Sequence, residues 1–256
     1  MVQAVDSDPG RSPFTRRTVR LVALVIAALL VLGGLLGLLT RSSPHPLGTS
    51  TRTTLALPSG SVPASLPRLM GLLSLPGTPA PALGLRAGNG STAGLTAERG
   101  KVVLVTFLDA ACTGICPVEL AELRDATRDL GALARDVVVV VVNVDPSRLT
   151  PASLGTLSKR SALGATKVLV ETGSLTALRR VWSAYGVQVE VDQITGTVLY
   201  SPRIFFIDPY GRERYLATPY GTEQADGKTV LSGALTVEWG EGIARYAKAL
   251  LSGSSQ

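Results

Sequence analysis

The chain has 256 residues, of which 45% are hydrophobic, and a formal net charge of +6. This length and apolar content are enough for a full hydrophobic core, and two cysteines are too few for a disulfide-stapled scaffold. The positive surplus is modest, and no basic stripe with interleaved aromatic residues is present, so the composition argues against a nucleic-acid-binding protein.

The N-terminal part of the chain predicts a membrane anchor. Residues 21–39 form an unbroken apolar run, which as a helix would span about 28 Å, close to the hydrocarbon thickness of a bilayer. Arginines are concentrated before this run, so the positive-inside bias places residues 1–20 in the cytoplasm and the rest on the extracytoplasmic side. A cleaved signal peptide is the alternative, but its apolar region is usually only about 7–15 residues long. We therefore expect a single-pass protein of the cell membrane with an exported domain, where disulfides persist.

Residues 40–78 predict a flexible linker, because they are rich in Pro, Ser, Thr and Gly. Within it, residues 66–75 form either a short helix or a segment that packs on the edge of the domain. The only histidine of the chain, His45, lies here between two prolines. A metal ligand needs supporting contacts that a flexible tether lacks, so we expect His45 to be solvated. The folded domain is then expected to cover residues 79–256.

Strand and helix patterns alternate along this domain. Six consecutive valines predict a central strand covered on both faces, and Thr150 before Pro151 predicts the start of a helix. The predicted elements are strand Val102–Phe107, helix Pro117–Arg135, strand Val137–Val142, a helix from Pro151 to Ser161, strand Val168–Val170, helix Ser174–Tyr185, strands Val187–Val191 and Thr197–Tyr200, a hairpin of Arg203–Ile207 with Arg212–Leu216, and helix Glu241–Leu251. This order predicts an α/β fold, a three-layer sandwich with a central mixed sheet and helices on both faces.

The two cysteines, Cys112 and Cys116, follow the first long strand and precede a predicted helix. Pro117 suits the first turn of that helix, and the partial positive charge of its N-terminus favours a thiolate. Glu119 and Glu122 oppose this effect, since nearby negative charge raises a thiol pKa. We expect the helix end to dominate, with Cys112 as the more exposed nucleophile and Cys116 as the resolving thiol. An inert core pair or a structural bridge is the alternative.

Two charged residues are further candidates for the site. Asp109 lies close to the cysteines, where it acts either as a proton acceptor or as a cap of the loop. Arg203 either faces the dithiol, where its charge would lower the thiol pKa, or faces solvent. The polar, Gly-rich segment 217–236 is a candidate for a partner-facing loop.

Several stretches of the domain resemble the Sco/SenC family. They are Gly100–Phe107 followed by Cys112 and Cys116–Pro117, Val144–Pro146 followed by Thr150–Pro151, Val181–Val187, and Ile204–Arg212. The resemblance implies a thioredoxin-like fold and a role in assembling the copper site of cytochrome oxidase. It also implies copper held by the two cysteines and one distant histidine.

That histidine is absent, because the resemblance places Tyr200 at its position. A neutral phenol with a reference pKa of about 10 is a poor copper ligand beside thiolates, although two thiolates alone can bind Cu(I). Pro202 resembles the cis-proline of thioredoxins, which contacts the disulfide and presents backbone to an extended substrate. We therefore expect a cis bond before Pro202, with a trans proline at the start of a strand as the alternative.

Three functions fit these residues. The leading hypothesis is a membrane-anchored, exported thiol–disulfide oxidoreductase that requires no cofactor. In it Cys112 attacks a partner disulfide, Cys116 resolves the mixed disulfide, and Pro202 helps to hold the partner. The partner is an exported or membrane protein with a cysteine pair, and the resemblance suggests a cytochrome oxidase subunit. The alternatives are a Cu(I) metallochaperone that uses the same cysteines as copper ligands and a non-catalytic adaptor.

Overall fold

Helices and strands alternate in the computed structural model, which describes residues 65–87 and 94–253. The helices are α1 (Ser65–Leu69), α2 (Ile115–Leu130), α3 (Pro151–Arg160), α4 (Leu175–Ala184) and α5 (Gly233–Gly253). The strands are β1 (Leu73–Ser74), β2 (Arg86–Ala87), β3 (Val102–Leu108), β4 (Val137–Asn143), β5 (Lys167–Thr172), β6 (Val189–Val191), β7 (Val198–Tyr200), β8 (Ile204–Ile207), β9 (Glu213–Ala217), β10 (Thr222–Glu223) and β11 (Thr229–Val230).

A mixed seven-stranded sheet forms the centre of the domain, in the order β1-β9-β8-β3-β4-β5-β2. Strands β3, β4 and β5 are parallel, whereas β8, β9 and β1 add antiparallel strands on one side and β2 adds one on the other. Every residue of β4 is buried, which confirms the central strand predicted from the six valines. Two separate hairpins, β6–β7 and β10–β11, lie outside this sheet.

The sheet is covered on both faces, because alternate side chains of β3 enter different apolar cores. Val102, Leu104 and Leu108 pack with residues of α2, α3 and α5. Val103, Val105 and Phe107 pack with residues of α4. This alternation follows from the two-residue period of a strand. It confirms the predicted three-layer α/β sandwich with helices on both faces.

The folded part of the chain begins earlier than the sequence predicts. Residues 65–78 belong to the domain, since Leu66 and Met70 on and after α1 are buried and Leu73 of β1 pairs with Leu216 of β9. The structure therefore sets the start of the domain before the predicted boundary at residue 78, and it agrees with the expectation that residues 66–75 form a short helix or pack on the edge of the domain. Two buried side chains and a two-residue strand are too weak a pattern to separate from a Pro/Gly-rich linker.

The predicted membrane helix, residues 21–39, and the cytoplasmic segment before it lie outside the described residues. Among residues 65–87 and 94–253, no helix has the length and apolar content needed to cross a bilayer.

Helix α5 is longer than predicted and packs closely on α2. Its prediction began at Glu241 because glycines at positions 240 and 242 lower helix propensity. A Cβ atom at position 240 would lie 2.9 Å from the backbone nitrogen of Ala126 and 3.0 Å from the carbonyl oxygen of Glu122. Gly240 therefore permits the two helix backbones to approach each other.

We expect Gly240→Ala to lower the free energy of unfolding by about 1–3 kcal/mol, because the added methyl group would press on the α2 backbone. The matched control is Gly155→Ala in α3, where a Cβ atom meets nothing within 4 Å. That change should raise the free energy of unfolding by about 0.5–1 kcal/mol, because alanine has a higher helix propensity than glycine. Urea denaturation followed by circular dichroism measures both. Equal stabilisation by the two substitutions would contradict the close approach of α2 and α5.

Candidate functional site

The two cysteines form a disulfide where β3 ends and α2 begins. Cys112 lies in the connecting loop, Cys116 is the second residue of α2, and their Cα atoms are 5.9 Å apart. The loop is held by the side chain of Asp109, whose Oδ1 accepts a hydrogen bond of 2.8 Å from the Ala111 backbone N–H. Asp109 thus caps the loop, which is one of the two roles that the sequence allowed.

The two sulfur atoms differ in exposure. Cys112 is partly exposed, whereas Cys116 is fully buried, so Cys112 is the more accessible, as expected. The backbone N–H of Cys116 donates to Cys112 Sγ at 3.3 Å. The first turn of α2 therefore directs a free amide at the exposed sulfur, and this amide and the helix dipole favour a thiolate there once the disulfide is reduced.

Arg160 is a site residue that the sequence did not indicate. From the last position of α3 it donates to two carbonyl oxygens of the cysteine loop, those of Ala110 and, at 2.7 Å, Cys112. Its charge favours a thiolate in the same loop. The guanidinium of Arg203, the cation suggested by the sequence, instead lies next to Gly186, about 3.5 Å from where a Cβ would stand.

Tyr200 contacts the buried sulfur of the disulfide. It is the last residue of β7, and its hydroxyl lies 3.1 Å from Cys116 Sγ. A disulfide sulfur carries no hydrogen, so here the phenol is the donor. The pKa of Tyr200 is raised well above its usual value, first by burial and then by the charges of Glu119 and Asp109, while Arg160 lowers it. The side chain at this position is therefore a neutral hydroxyl.

The bond before Pro202 is trans, since residues 65–87 and 94–253 contain no cis peptide bond, and the expected cis bond is wrong. The pairing of the β6–β7 hairpin continues past β7, with the Ser201 N–H donating to the Gln188 carbonyl at 3.1 Å. The side chain of Tyr200, the last residue of β7, lies next to the disulfide. A catalytic role for Pro202 stays a prediction.

Glu119 and Glu122 are both fully buried on α2. Burial raises the pKa of Glu119 to about 8 and that of Glu122 to about 9, and the charge of Glu119 adds to the second shift. Burial therefore favours the protonated form of both carboxyl groups, which weakens their opposition to a thiolate at Cys112. Their spacing could have indicated burial, because Glu119 follows Cys116 by three residues and Glu122 follows Glu119 by three, which places both on the face of the helix that carries the buried cysteine.

Only one of the four carboxyl oxygens has a partner among the described residues. Glu119 Oε1 accepts a hydrogen bond from the Thr106 hydroxyl of β3. Glu119 Oε2 and both oxygens of Glu122 have no hydrogen-bond partner in that part of the chain. Unpartnered buried carboxyl oxygens are costly when ionised, which agrees with the protonated form.

A cleft with a volume of about 460 Å³ opens over Cys112. Its walls come from the cysteine loop and from both small hairpins, and it also contains Asp109, Asp145 and Glu223. Arg148 offsets part of this negative charge through an ion pair of 2.9 Å with Asp145. Side chains on and beside the β6–β7 hairpin are exposed, Ile194 by 95% and Leu199 by 61%. Cys112 thus lines a cleft that opens to solvent, beside exposed apolar side chains.

The comparisons with known proteins agree with this fold. The family model for SCO1/SenC matches residues 84–230, more than half of the chain. The chain is similar to apo Sco1 from Thermus thermophilus, with 25% identity, a TM-score of 0.54, and coverage of 69% of this chain and 94% of that one. It is also similar to a SCO1/SenC family lipoprotein from Bacillus anthracis, with 19% identity, a TM-score of 0.54, and coverage of 68% and 96%.

A third similar structure is copper-bound ScoI from Bradyrhizobium japonicum, with 23% identity, a TM-score of 0.49, and coverage of 66% of this chain and 99% of that one. No curated protein is significantly similar to the chain. The family match extends over the strand, the cysteine pair and the β6–β7 hairpin described above. The chain therefore belongs to the SCO1/SenC family and has its thioredoxin-like fold.

Proposed function

We propose that the chain is an exported thiol–disulfide oxidoreductase that acts through Cys112 and Cys116. The observation that carries the proposal is the asymmetry of the disulfide. One sulfur lies at the floor of an open cleft beside a helix N-terminus, and the other is buried against Tyr200. This asymmetry suits a nucleophile and a resolving thiol.

The reaction starts from the reduced pair. The Cys112 thiolate attacks one sulfur of a partner disulfide, the partner S–S bond breaks, and a mixed disulfide forms while one partner thiolate leaves. The Cys116 thiol then loses its proton and attacks Cys112 Sγ, which releases the second partner thiolate. Two electrons have passed to the partner, and the Cys112–Cys116 disulfide has formed. The reverse sequence oxidises a partner, and the difference between the two reduction potentials sets the direction.

Copper binding through the three-ligand set that the family resemblance implies fits this chain poorly. By the family resemblance, Tyr200 takes the position of the distant histidine, and its phenol stays protonated beside Cys116. Among residues 65–87 and 94–253, no group of three or more His, Cys, Asp or Glu side chains could hold a metal ion. The soft ligands left are the two sulfurs, which after reduction suit Cu(I) as cargo. A Cu(I) metallochaperone is therefore the second candidate.

The proposed oxidoreductase has a membrane anchor and a protein partner. The apolar run at residues 21–39 would hold the domain at the extracytoplasmic face of the cell membrane, where the disulfide persists. The partner would be an exported or membrane protein with a cysteine pair. Membership of the SCO1/SenC family favours a cytochrome oxidase subunit, whose copper-site cysteines must be reduced before metal enters.

Cysteine substitutions test the two sulfur roles. With oxidised glutathione, the reduced Cys116→Ser variant should accumulate a stable adduct at Cys112, because no resolving thiol remains. The matched Cys112→Ser variant should react at least about tenfold more slowly, since its single thiol is buried. Intact-protein mass spectrometry counts the adducts over time. Equal labelling of both variants would contradict the assigned roles, and the absence of any reaction would favour a non-catalytic adaptor.

Substitution of Tyr200 tests whether the lack of an imidazole at this position weakens Cu(I) binding. Tyr200→His should tighten Cu(I) binding to the reduced protein by about tenfold or more, which corresponds to about 1.4 kcal/mol, because it adds an imidazole beside Cys116. Tyr200→Phe is the matched control, since it removes the hydroxyl without adding a ligand. Competition with a Cu(I) chelator measures both. Tight binding of one equivalent by the unmodified chain, lost in Cys112→Ser, would favour the metallochaperone instead.

A further inference from the structure

Strand β7 has one edge that no other strand covers within the described residues, because it pairs only with β6. Residues 195–200, which include the whole of β7, line the cleft over Cys112. The strand also ends beside the disulfide, since the Tyr200 hydroxyl lies 3.1 Å from Cys116 Sγ. An open strand edge presents backbone N–H and C=O groups that can pair with a second polypeptide. Strand β7 and its uncovered edge therefore form part of the cleft wall, next to the reactive pair.

The hydrogen bonds of the β6–β7 hairpin show which backbone groups of β7 are free. The Asp192 N–H donates to the Thr197 carbonyl at 2.9 Å, and the Ser201 N–H donates to the Gln188 carbonyl at 3.1 Å. In both bonds the two residues lie directly opposite each other in the register of the hairpin. Hydrogen-bonded pairs alternate with non-hydrogen-bonded pairs along an antiparallel ladder, so one further hydrogen-bonded pair lies midway between these two.

Val198 and Tyr200 fall between the hydrogen-bonded pairs. They lie opposite Val191 and Val189, so their backbone N–H and C=O groups point away from β6. None of these four groups bonds to backbone outside the hairpin within residues 65–87 and 94–253. Free donors and acceptors on every second residue are what an added strand pairs with.

The side chains around this edge are apolar and acidic. Leu199 is exposed, and so is Glu190, which lies opposite it on β6. The acidic residues of the two hairpins, residues 189–200 and 222–230, are Glu190, Asp192, Glu223 and Asp226. Their one basic residue, Lys228, is paired with Asp226 at 2.6 Å. On the cleft floor, Arg148 is likewise paired with Asp145. The surface around the edge is therefore complementary in charge to a basic segment.

We propose that the uncovered edge of β7 binds an extended, basic segment of the partner as an added strand and so places a partner cysteine over Cys112. This binding mode rests on the proposed function and names the segment that the cleft recognises. The N–H groups of Val198 and Tyr200 donate to partner carbonyls, and their carbonyls accept from partner N–H groups. The Cys112 thiolate attacks the partner sulfur held there, the partner S–S bond breaks, and its other sulfur leaves as a thiolate with the electron pair.

A peptide probe measures what the added strand contributes. Reduced full-length protein is mixed with a short lysine-containing peptide whose single central cysteine carries a coloured aromatic thiol as a mixed disulfide. The reference is the same aromatic thiol on mercaptoethanol, which has no peptide backbone. Because the chain has only two cysteines, no thiol outside the pair releases colour. The peptide should react at least about tenfold faster than the reference, because it gains backbone hydrogen bonds.

N-methylated peptides test the strand geometry. Only alternate amides of an added strand face β7, so methylation of every second amide gives two matched peptides with the same chemistry. One of them should lose the rate advantage over the reference, and the other should keep it. Equal rates for the two peptides would overturn strand addition and leave the proposed function intact. Failure of the reduced chain to react with either disulfide would instead overturn the proposed function.

Val198→Pro tests the edge from the side of the protein. The proline removes an N–H that points away from β6, so the pairing inside the hairpin is kept. The rate ratio of peptide to reference should fall by about fivefold, as for one lost hydrogen bond. Val198→Ala is the matched control, since it keeps the N–H and should keep the ratio. An equal ratio in the two variants would contradict the binding mode.

Peptide charge tests the basic character of the segment. At low ionic strength the lysine peptide should react about tenfold faster than a glutamate version, and added salt should reduce this ratio. The double variant Glu190→Gln and Glu223→Gln should lower the ratio by about threefold, since two exposed charges are removed. Asp129→Asn is the matched control, because Asp129 is exposed at the far end of α2, about 20 Å along the helix from Cys116. Equal rates for both peptides, or an equal ratio in the double variant and the control, would overturn the preference for a basic segment.

Discussion

The contact on which the site depends is the junction between the carboxyl end of β3 and the N-terminus of α2. The buried strand sets the position of the loop, and the first turn of the helix points its Cys116 N–H at Cys112 Sγ. Arg160 ties two loop carbonyls to α3, so three elements hold one loop. Cys112 stays partly exposed in the loop at this junction, while Cys116, which belongs to the helix, is buried.

The inner side of the junction is unusual for a protein core. Two carboxylic acids lie one turn apart beneath the disulfide, and burial raises the pKa of each, which favours the protonated form. Neutral acids are tolerated in a core where carboxylates would be costly. The disulfide therefore lies between the open cleft and a core that contains two buried acids.

Tyr200 links these two levels. Its backbone belongs to the β6–β7 hairpin that walls the cleft, and its hydroxyl contacts the buried sulfur. In the place where the family resemblance implies an imidazole, this chain has a group that donates a hydrogen bond and stays neutral. This neutral hydroxyl beside Cys116 supports the proposed redox pair over a three-ligand copper site, with Cu(I) as the alternative cargo.

The sequence by itself determined the order of the elements, the buried central strand, the position of both thiols at a strand-to-helix junction and the family, because these depend on local periodicity and short motifs. Only the tertiary structure decided the burial of Glu119 and Glu122, the reach of Arg160 into the cysteine loop, the trans bond before Pro202 and the inclusion of α1 in the domain. Each of these depends on contacts between residues far apart in the chain or on which face of a helix is covered, and local pattern does not encode them.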